Sequence, residues 1–395
     1  MSPRAKTETA PAPKKMDWMG MLGKMEGAVN ERSDPWLNPI RSTSPYVNQL
    51  FGHTWGLPRG FSVLLWGKPG TGKTVISYSF VAGLHRDDPD AIAIKFDTEM
   101  RDEGQLTPEM AAAYGIDLRR WKVISSNDPS DVFDQIRDVI GPMVAAGAPI
   151  GLIIIDSITG VQGMRAAKQE EEGAKKAMKT FNQGDVAQTT KQGLKLILPT
   201  QRSPGKRKIS LIVTAHAAAE MDAWEVKRGN KEKAAVAFGV QHHCEFFMNV
   251  WRDDTKDGKK DALGQEMVDH SRKDSNDDGE MVGHAVNVWM QKSSMSPEGR
   301  MGRFTFDNRR GLIDTNAEVF AIAKSWGVIE YSGAYYKFGD VTWKGKAEAL
   351  VALKDPGLQN RVIAALLERE KTPGAMVAAA PEAELAKLFE NRDEE

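Results

Sequence analysis

The chain has 395 residues, of which 41% are hydrophobic, enough for one large core and a smaller satellite domain. Its formal net charge is −1, so no global basic field announces a polyanionic partner, and any such partner must be met by local clusters. The single cysteine, Cys244, excludes an intrachain disulfide framework and fits a reducing compartment, and no run reaches the ~18 continuous apolar residues of a membrane span.

Residues 1–15 combine Ala-Pro repeats with lysines and bury too little to offset ordering entropy, so a disordered tail without a signal-peptide core is expected there. In the next segment, 16–50, Met19, Leu22 and Met25 recur at helical spacing and predict a helix with one apolar face in need of a partner. From 61 to about 247, apolar runs alternate with helical stretches, which predicts an α/β core with a mostly parallel sheet. The predicted strands are 62–66, 91–97, 122–125, 151–156, 209–215 and 246–251, several of them apolar along most of their length, as strands covered on both faces must be. Residues 252–283 hold ten acidic and six basic side chains and predict a flexible, solvated insertion, after which 285–291 and 303–306 read as two more strands. The core is thus expected to span 51–315. A helix from 316, an aromatic hairpin at 331–338 and a helical run at 345–370 predict a small α+β C-terminal domain over 316–389, closed by an acidic tail at 390–395.

Gly67-Lys68-Pro69-Gly70-Thr71-Gly72-Lys73-Thr74 fits the pattern of a phosphate-binding loop, and it lies between a predicted strand ending at Trp66 and a helix predicted over 75–84. In such a loop glycines turn backbone N–H groups toward a β-phosphate, Lys73 reaches the β- and γ-phosphates, and Thr74 offers a hydroxyl to Mg²⁺. Leu152-Ile153-Ile154-Ile155-Asp156 supplies the carboxylate behind the metal, at the end of an apolar strand. An AAA-type ATPase places its catalytic glutamate directly after this aspartate, whereas the next residue here is Ser157. The base must come from elsewhere, and Glu99, ending Phe96-Asp97-Thr98-Glu99, is expected on the same sheet edge.

With these residues the chain resembles the RecA recombinase family, and more closely its phage branch typified by UvsX, over roughly 52–370. The resemblance implies a RecA-like P-loop NTPase core, an N-terminal polymerisation arm at 16–50, and a DNA-dependent ATPase that uses ATP and Mg²⁺. It implies that Glu99 orients the attacking water and that His216, ending Leu211-Ile212-Val213-Thr214-Ala215-His216, senses the γ-phosphate, histidine being the phage-branch residue there. Two loops are implied to line a filament axis. The first, 160–184, lies in a segment, 160–210, with 11 Lys/Arg against 4 Asp/Glu, and offers Arg165, Lys168, Lys175, Lys176 and Lys179 to DNA phosphates. The second, 217–239, offers Trp224 for stacking beside Lys227 and Arg228. Lys292, in Gln291-Lys292-Ser293-Ser294, is similar to a cation that reaches the neighbouring subunit's ATP, with Met290 where the family has a second lysine and Arg300 or Arg303 as substitutes.

The implied partners are single-stranded DNA, double-stranded DNA gathered by the C-terminal domain, and further copies of the chain in a homopolymeric filament. A single-strand-binding protein and a recombination mediator extend that set, with no membrane, in a cytoplasm that is the host's if the chain is phage-encoded. Two other readings share the same nucleotide residues: a ring-forming RecA-fold motor or loader, and an ATP-dependent DNA-binding scaffold without turnover. Asp274-Ser275-Asn276-Asp277-Asp278-Gly279 opens like a calcium loop but has Ala285 where a bidentate glutamate is needed. His242-His243-Cys244, expected on a strand, would point to opposite faces and predicts no zinc site.

Overall fold

Strand β1 (Ser62–Gly67) is buried along its whole length, and its side chains alternate between two apolar layers, Val63 and Leu65 in one, Leu64 and Trp66 in the other. A strand covered on both faces needs apolar residues at consecutive positions, which is why this run is uninterrupted. The computed structural model describes residues 38–99, 106–128, 130–160, 183–201, 208–221, 227, 232–236, 238–261, 265–269, 280–295, 298–307, 312–313 and 315–371. All of these belong to one compact unit, Pro35–Glu395.

The strands that follow are Ile92–Asp97 (β2), Trp121–Ser125 (β3), Ile150–Asp156 (β4), Ser210–Ala219 (β5), Glu232–Ala234 (β6), Phe246–Arg252 (β7), Val268–Asp269 (β8), Glu280–Met281 (β9), Gly283–Ser293 (β10), Met301–Asp307 (β11) and Leu312–Ile313 (β12). The main sheet runs β12-β11-β10-β7-β1-β5-β4-β2-β3, with β6 paired to β5, while β8 and β9 form a separate ladder. The six strands from β7 to β3 in that order are parallel, and β10, β11, β12 and β6 join antiparallel. The expected α/β fold with a mostly parallel sheet is therefore present.

Helices cover both faces. After the short α1 (Pro45–Gln49), helix α2 (Lys73–Asp87) buries Ile76, Phe80, Val81 and Leu84 in the layer that also receives α3 (Pro108–Tyr114). On the other face a wide helical turn at Ser130–Ile140 runs into α4 (Gly141–Ala145) and packs beside α5 (Gln183–Gln201). Gly193 of α5 lies against the Phe133 ring, where a Cβ would meet ring atoms at 2.4 Å, so the missing side chain is what lets the two helices close.

Three elements differ from the sequence expectation. Strand β5 continues to Ala219 and turns back through β6, so the ends of the segment 217–239 are a hairpin rather than loop. His242 and His243 lie at the end of helix α6 (Phe238–His243), not on a strand, because Val240 of that helix is buried against the second layer. The helical run at 345–370 is two helices, α8 (Gly345–Ala352) and α9 (Pro356–Lys371), separated where Pro356 begins a new helix and the Asp355 carboxylate accepts from the Leu358 N–H at 2.8 Å.

The C-terminal elements have their own core. Helix α7 (Thr315–Ser325), the strands Glu330–Ser332 (β13), Tyr335–Phe338 (β14) and Val341–Lys344 (β15), and helices α8 and α9 enclose Phe320, Trp326, Tyr336, Trp343, Leu353 and Leu366, joined by Trp55. The predicted hairpin at 331–338 is thus completed by a third strand. Glu318 of α7 fastens these elements to α1, its carboxylate accepting from the Ser44 hydroxyl at 2.6 Å and the Tyr46 N–H at 3.0 Å. Among the described residues no helix is long and apolar enough to cross a membrane.

Candidate nucleotide-binding and catalytic site

Parallel pairing sets the carboxyl ends of β1, β2, β4 and β5 side by side, with Gly67 opposite His216 and Asp97 opposite Asp156. The crevice outside such strand ends is where open α/β sheets bind ligands. The loop leaving β1 depends on its glycines at two points. A Cβ on Gly67 would sit 2.0 Å from the Val250 carbonyl oxygen of β7, and Gly72 has φ +94°, where other residues are strained. Lys73, the first residue of α2, turns back so that its Nζ donates to the carbonyls of Gly67 at 2.8 Å and Lys68 at 2.7 Å. Burial lowers the pKa of its ammonium, against the opposing pull of Asp156 and Glu99.

Asp156 ends β4 with both oxygens engaged. The Thr214 hydroxyl donates to Oδ1 at 2.5 Å, the Thr74 hydroxyl donates to Oδ2 at 3.0 Å, and Lys95 Nζ stands 3.3 Å from the same Oδ2. A hydroxyl and a carboxylate oxygen converging at the start of a helix are the hard donors that Mg²⁺ takes when it keeps waters and phosphates as its remaining ligands. Among the described residues no cluster of three or more His, Cys, Asp or Glu could hold a metal by itself, so the fit is to an ion shared with a phosphate ligand.

Glu99 follows β2. Its Oε1 is 2.5 Å from His216 Nε2 and accepts from the Ser157 hydroxyl at 2.8 Å. Ser157, the residue that stands in place of an adjacent glutamate, shares a further hydrogen bond with Thr159 at 2.7 Å. The Thr98 hydroxyl donates to the Ser157 carbonyl, tying the segment after β2 to the segment after β4.

These groups line one cavity of about 310 Å³, bounded by Pro69, Gly70, Thr71, Gly72, Lys73, Thr74, Asp97, Glu99, Asp156 and His216. The nucleotide residues predicted from sequence are therefore brought together, with Gly67 just behind and Lys68 ion-paired to Glu232 of β6 at 2.8 Å. Three residues facing this region were not anticipated. His284 and Phe306, packed edge to face at 5.4 Å, close the cavity from β10 and β11. Lys95, buried inside β2, stands behind it with its Nζ 3.3 Å from Asp156 Oδ2.

Other predicted residues lie elsewhere. Lys292 is outside the cavity, its Nζ donating to the carbonyls of Gln241 at 3.0 Å and Cys244 at 2.8 Å. Arg300, considered as an intersubunit cation, is instead committed inside the chain, to the Gln49 carbonyl at 2.7 Å and to Glu370 at 2.9 Å. Arg303 pairs with Asp253 at 2.9 Å. Lys227 is exposed, while Arg165, Lys168, Lys175, Lys176, Lys179, Trp224 and Arg228 lie outside the described residues.

A parallel sheet with a lysine-bearing phosphate loop, a strand-end carboxylate bonded to the loop threonine and a histidine-held glutamate on one edge defines a phosphate-loop ATPase. No protein-family model matches the chain. It is similar to a RecA protein of Thermus thermophilus, 25% identical over 337 residues that cover 83% of this chain and 84% of that protein. It is likewise similar to RecA of Pseudomonas putida, 23% identical over 332 residues, 82% of this chain and 79% of that one. RecA of Thermotoga maritima is 24% identical over 296 residues, 75% and 70% of the two chains. Over most of its length the chain is thus similar to RecA proteins at 23–25% identity.

Proposed function

We propose that the chain is an ATP-dependent DNA recombinase that forms helical filaments on single-stranded DNA and promotes homologous pairing and strand exchange in recombination and repair. The observation that carries this reading is the meeting of Lys73, Thr74, Asp156, Glu99 and His216 on one sheet edge, in a chain similar to RecA along most of its length. ATP is the substrate, held by Gly67 to Thr74, and Thr74 with Asp156 hold Mg²⁺. The ion supplies positive charge beside the phosphates. Lys73 exchanges its loop carbonyls for phosphate oxygens, and Glu99 orients the attacking water and takes its proton.

His216 links that chemistry to DNA. Its ring bonds Glu99, its carbonyl accepts from the Ala235 N–H at 2.8 Å, and β5 continues from it into the hairpin with β6 that frames the segment carrying Trp224, Lys227 and Arg228. A change in the hold on Glu99 is thereby passed to the second DNA loop, while Arg165, Lys168, Lys175, Lys176 and Lys179 serve the first. Lys292 acts across the filament interface on the neighbour's ATP once released from its two carbonyls. Histidine at 216 supports the phage branch, and with it action in a host's cytoplasm alongside a single-strand-binding protein and a mediator.

The test is ATP hydrolysis with and without single-stranded DNA, with negative-stain imaging of the same samples. DNA-stimulated turnover and helical filaments are expected. Closed rings would replace this reading with a ring motor or loader, and nucleotide binding without turnover would replace it with a scaffold.

A further inference from the structure

Strand β2 reads Ile-Ala-Ile-Lys-Phe-Asp, and its lysine, Lys95, is only 1% exposed. A buried ammonium is costly unless paired, so a lysine at the centre of a strand covered on both faces requires an account. Side-chain alternation puts Lys95 on the face of Ala93, in the layer beneath α2. There its Nζ passes 5.5 Å from the centre of the Tyr78 ring and ends 3.3 Å from Oδ2 of Asp156. That oxygen is the one that accepts from the Thr74 hydroxyl. A fixed cation therefore already faces the carboxylate oxygen assigned to the metal.

The cavity collects negative charge. Asp97, Glu99 and Asp156 all line it, and a nucleoside triphosphate adds more. Without a divalent ion the carboxylates and the phosphates repel one another, and Lys95 removes part of that repulsion from a place that solvent and salt do not screen. With a divalent ion, the same ammonium competes for Asp156 and weakens the ion's hold. We infer that Lys95 is a built-in counter-ion to the metal-site carboxylate, which lowers metal affinity and makes nucleotide binding less dependent on the divalent ion. This rests on the assignment of the cavity to ATP and Mg²⁺. Lys95 acts through Asp156 and is a positioning residue, not a catalytic one.

The experiment measures affinity for a fluorescent, non-hydrolysable ATP analogue on the full chain, in Mg²⁺ and in EDTA, together with the Mn²⁺ concentration that half-saturates analogue binding. Lys95→Met keeps most of the length of the side chain among apolar neighbours and removes the charge. It is expected to weaken binding in EDTA by about tenfold or more, to change binding in Mg²⁺ by less than about threefold, and to lower the half-saturating Mn²⁺ by about tenfold. A Mg²⁺-to-EDTA affinity ratio within about twofold of wild type, in a folded variant, overturns the inference and leaves Lys95 as a counter-charge for folding alone. Should Lys95→Met fail to fold, Lys95→Gln, which keeps a neutral donor at the end of the side chain, carries the same expectation and the same overturning result. Lys73→Ala separates the two levels. Unaltered analogue binding in that variant removes the nucleotide reading itself, whereas lost binding with an unchanged ratio at Lys95 removes only this inference.

Discussion

His216 Nε2 lies 2.5 Å from Glu99 Oε1, and the Ser157 hydroxyl donates to the same oxygen at 2.8 Å, so three chain segments converge on one carboxylate oxygen. Glu99 is therefore held in place by the side chains of His216, at the end of β5, and Ser157, the residue after Asp156. Glu99→Gln keeps the shape and an acceptor oxygen for these contacts while removing the proposed base. Phosphate release should fall by roughly 10²–10⁴-fold, with ATP affinity little changed. Loss of affinity in step with turnover would assign Glu99 to binding instead.

Gly67 has no room for a side chain. A methyl group there would meet the Val250 carbonyl oxygen at 2.0 Å, and with the oxygen in the backbone and the methyl bonded directly to it, neither can move aside cheaply at the centre of the sheet. Gly67→Ala is expected to cost about 1–3 kcal/mol or more of stability, read as a lower denaturant midpoint, and to weaken nucleotide binding by shifting the loop. A variant as stable as wild type would mean that β7 does not approach β1 this closely.

His85 gives the fold a dependence on pH. The residue is buried on α2, and its Nδ1 accepts from the Asp117 N–H at 3.1 Å, which a proton on that nitrogen would abolish. Burial, reinforced by the positive charge of Arg120, lowers its pKa from 6.5 to about 4. Between those values the unfolded chain takes up the proton and the folded chain does not. The stability contributed is complete above the unfolded value and declines as pH falls toward 4. Urea midpoints measured from pH 7 to 4 should fall less steeply for His85→Gln than for wild type, and parallel slopes would rule His85 out.

The readable parts of the sequence were those where local chemistry dictates structure. Ile153, Ile154 and Ile155 announce a strand buried on both faces, and the glycines with Lys73 and Thr74 announce the phosphate loop, because each needs only neighbours in the chain. Asp156 and Glu99 were legible because strand ends of a parallel sheet share an edge. His284 and Phe306 were not, since they reach the cavity from antiparallel strands added beyond β7, and no local pattern states where such an extension folds back. The β5–β6 hairpin escaped notice because β6 is three residues long and two of them are charged. Lys95 did leave a signal, a lone charge within an apolar strand, whose meaning appears only with Asp156 beside it.

Arg300 and Glu370 give the last prediction. Their side chains are 12% and 3% exposed, and they meet at 2.9 Å between β11 and the end of α9. The guanidinium also donates to the Gln49 carbonyl at 2.7 Å, so one side chain joins α1, the start of β11 and the C-terminal helix. An arginine committed in this way can act on a neighbouring subunit only by leaving a carboxylate buried and uncompensated. Arg300→Met produces that state directly and should cost about 3–5 kcal/mol, most of it the penalty of the stranded Glu370 charge rather than the worth of the pair. Removing the partner as well tests the cause. Arg300→Met combined with Glu370→Met puts two apolar side chains in the same space and should recover most of the loss, because a buried ion pair contributes little net stability over well-packed apolar groups. Chemical denaturation of the two variants and wild type decides the matter. A double variant no more stable than Arg300→Met would show that the arginine's hold on Gln49 and α1, and not the pairing of charges, is what secures the C-terminal elements to the core.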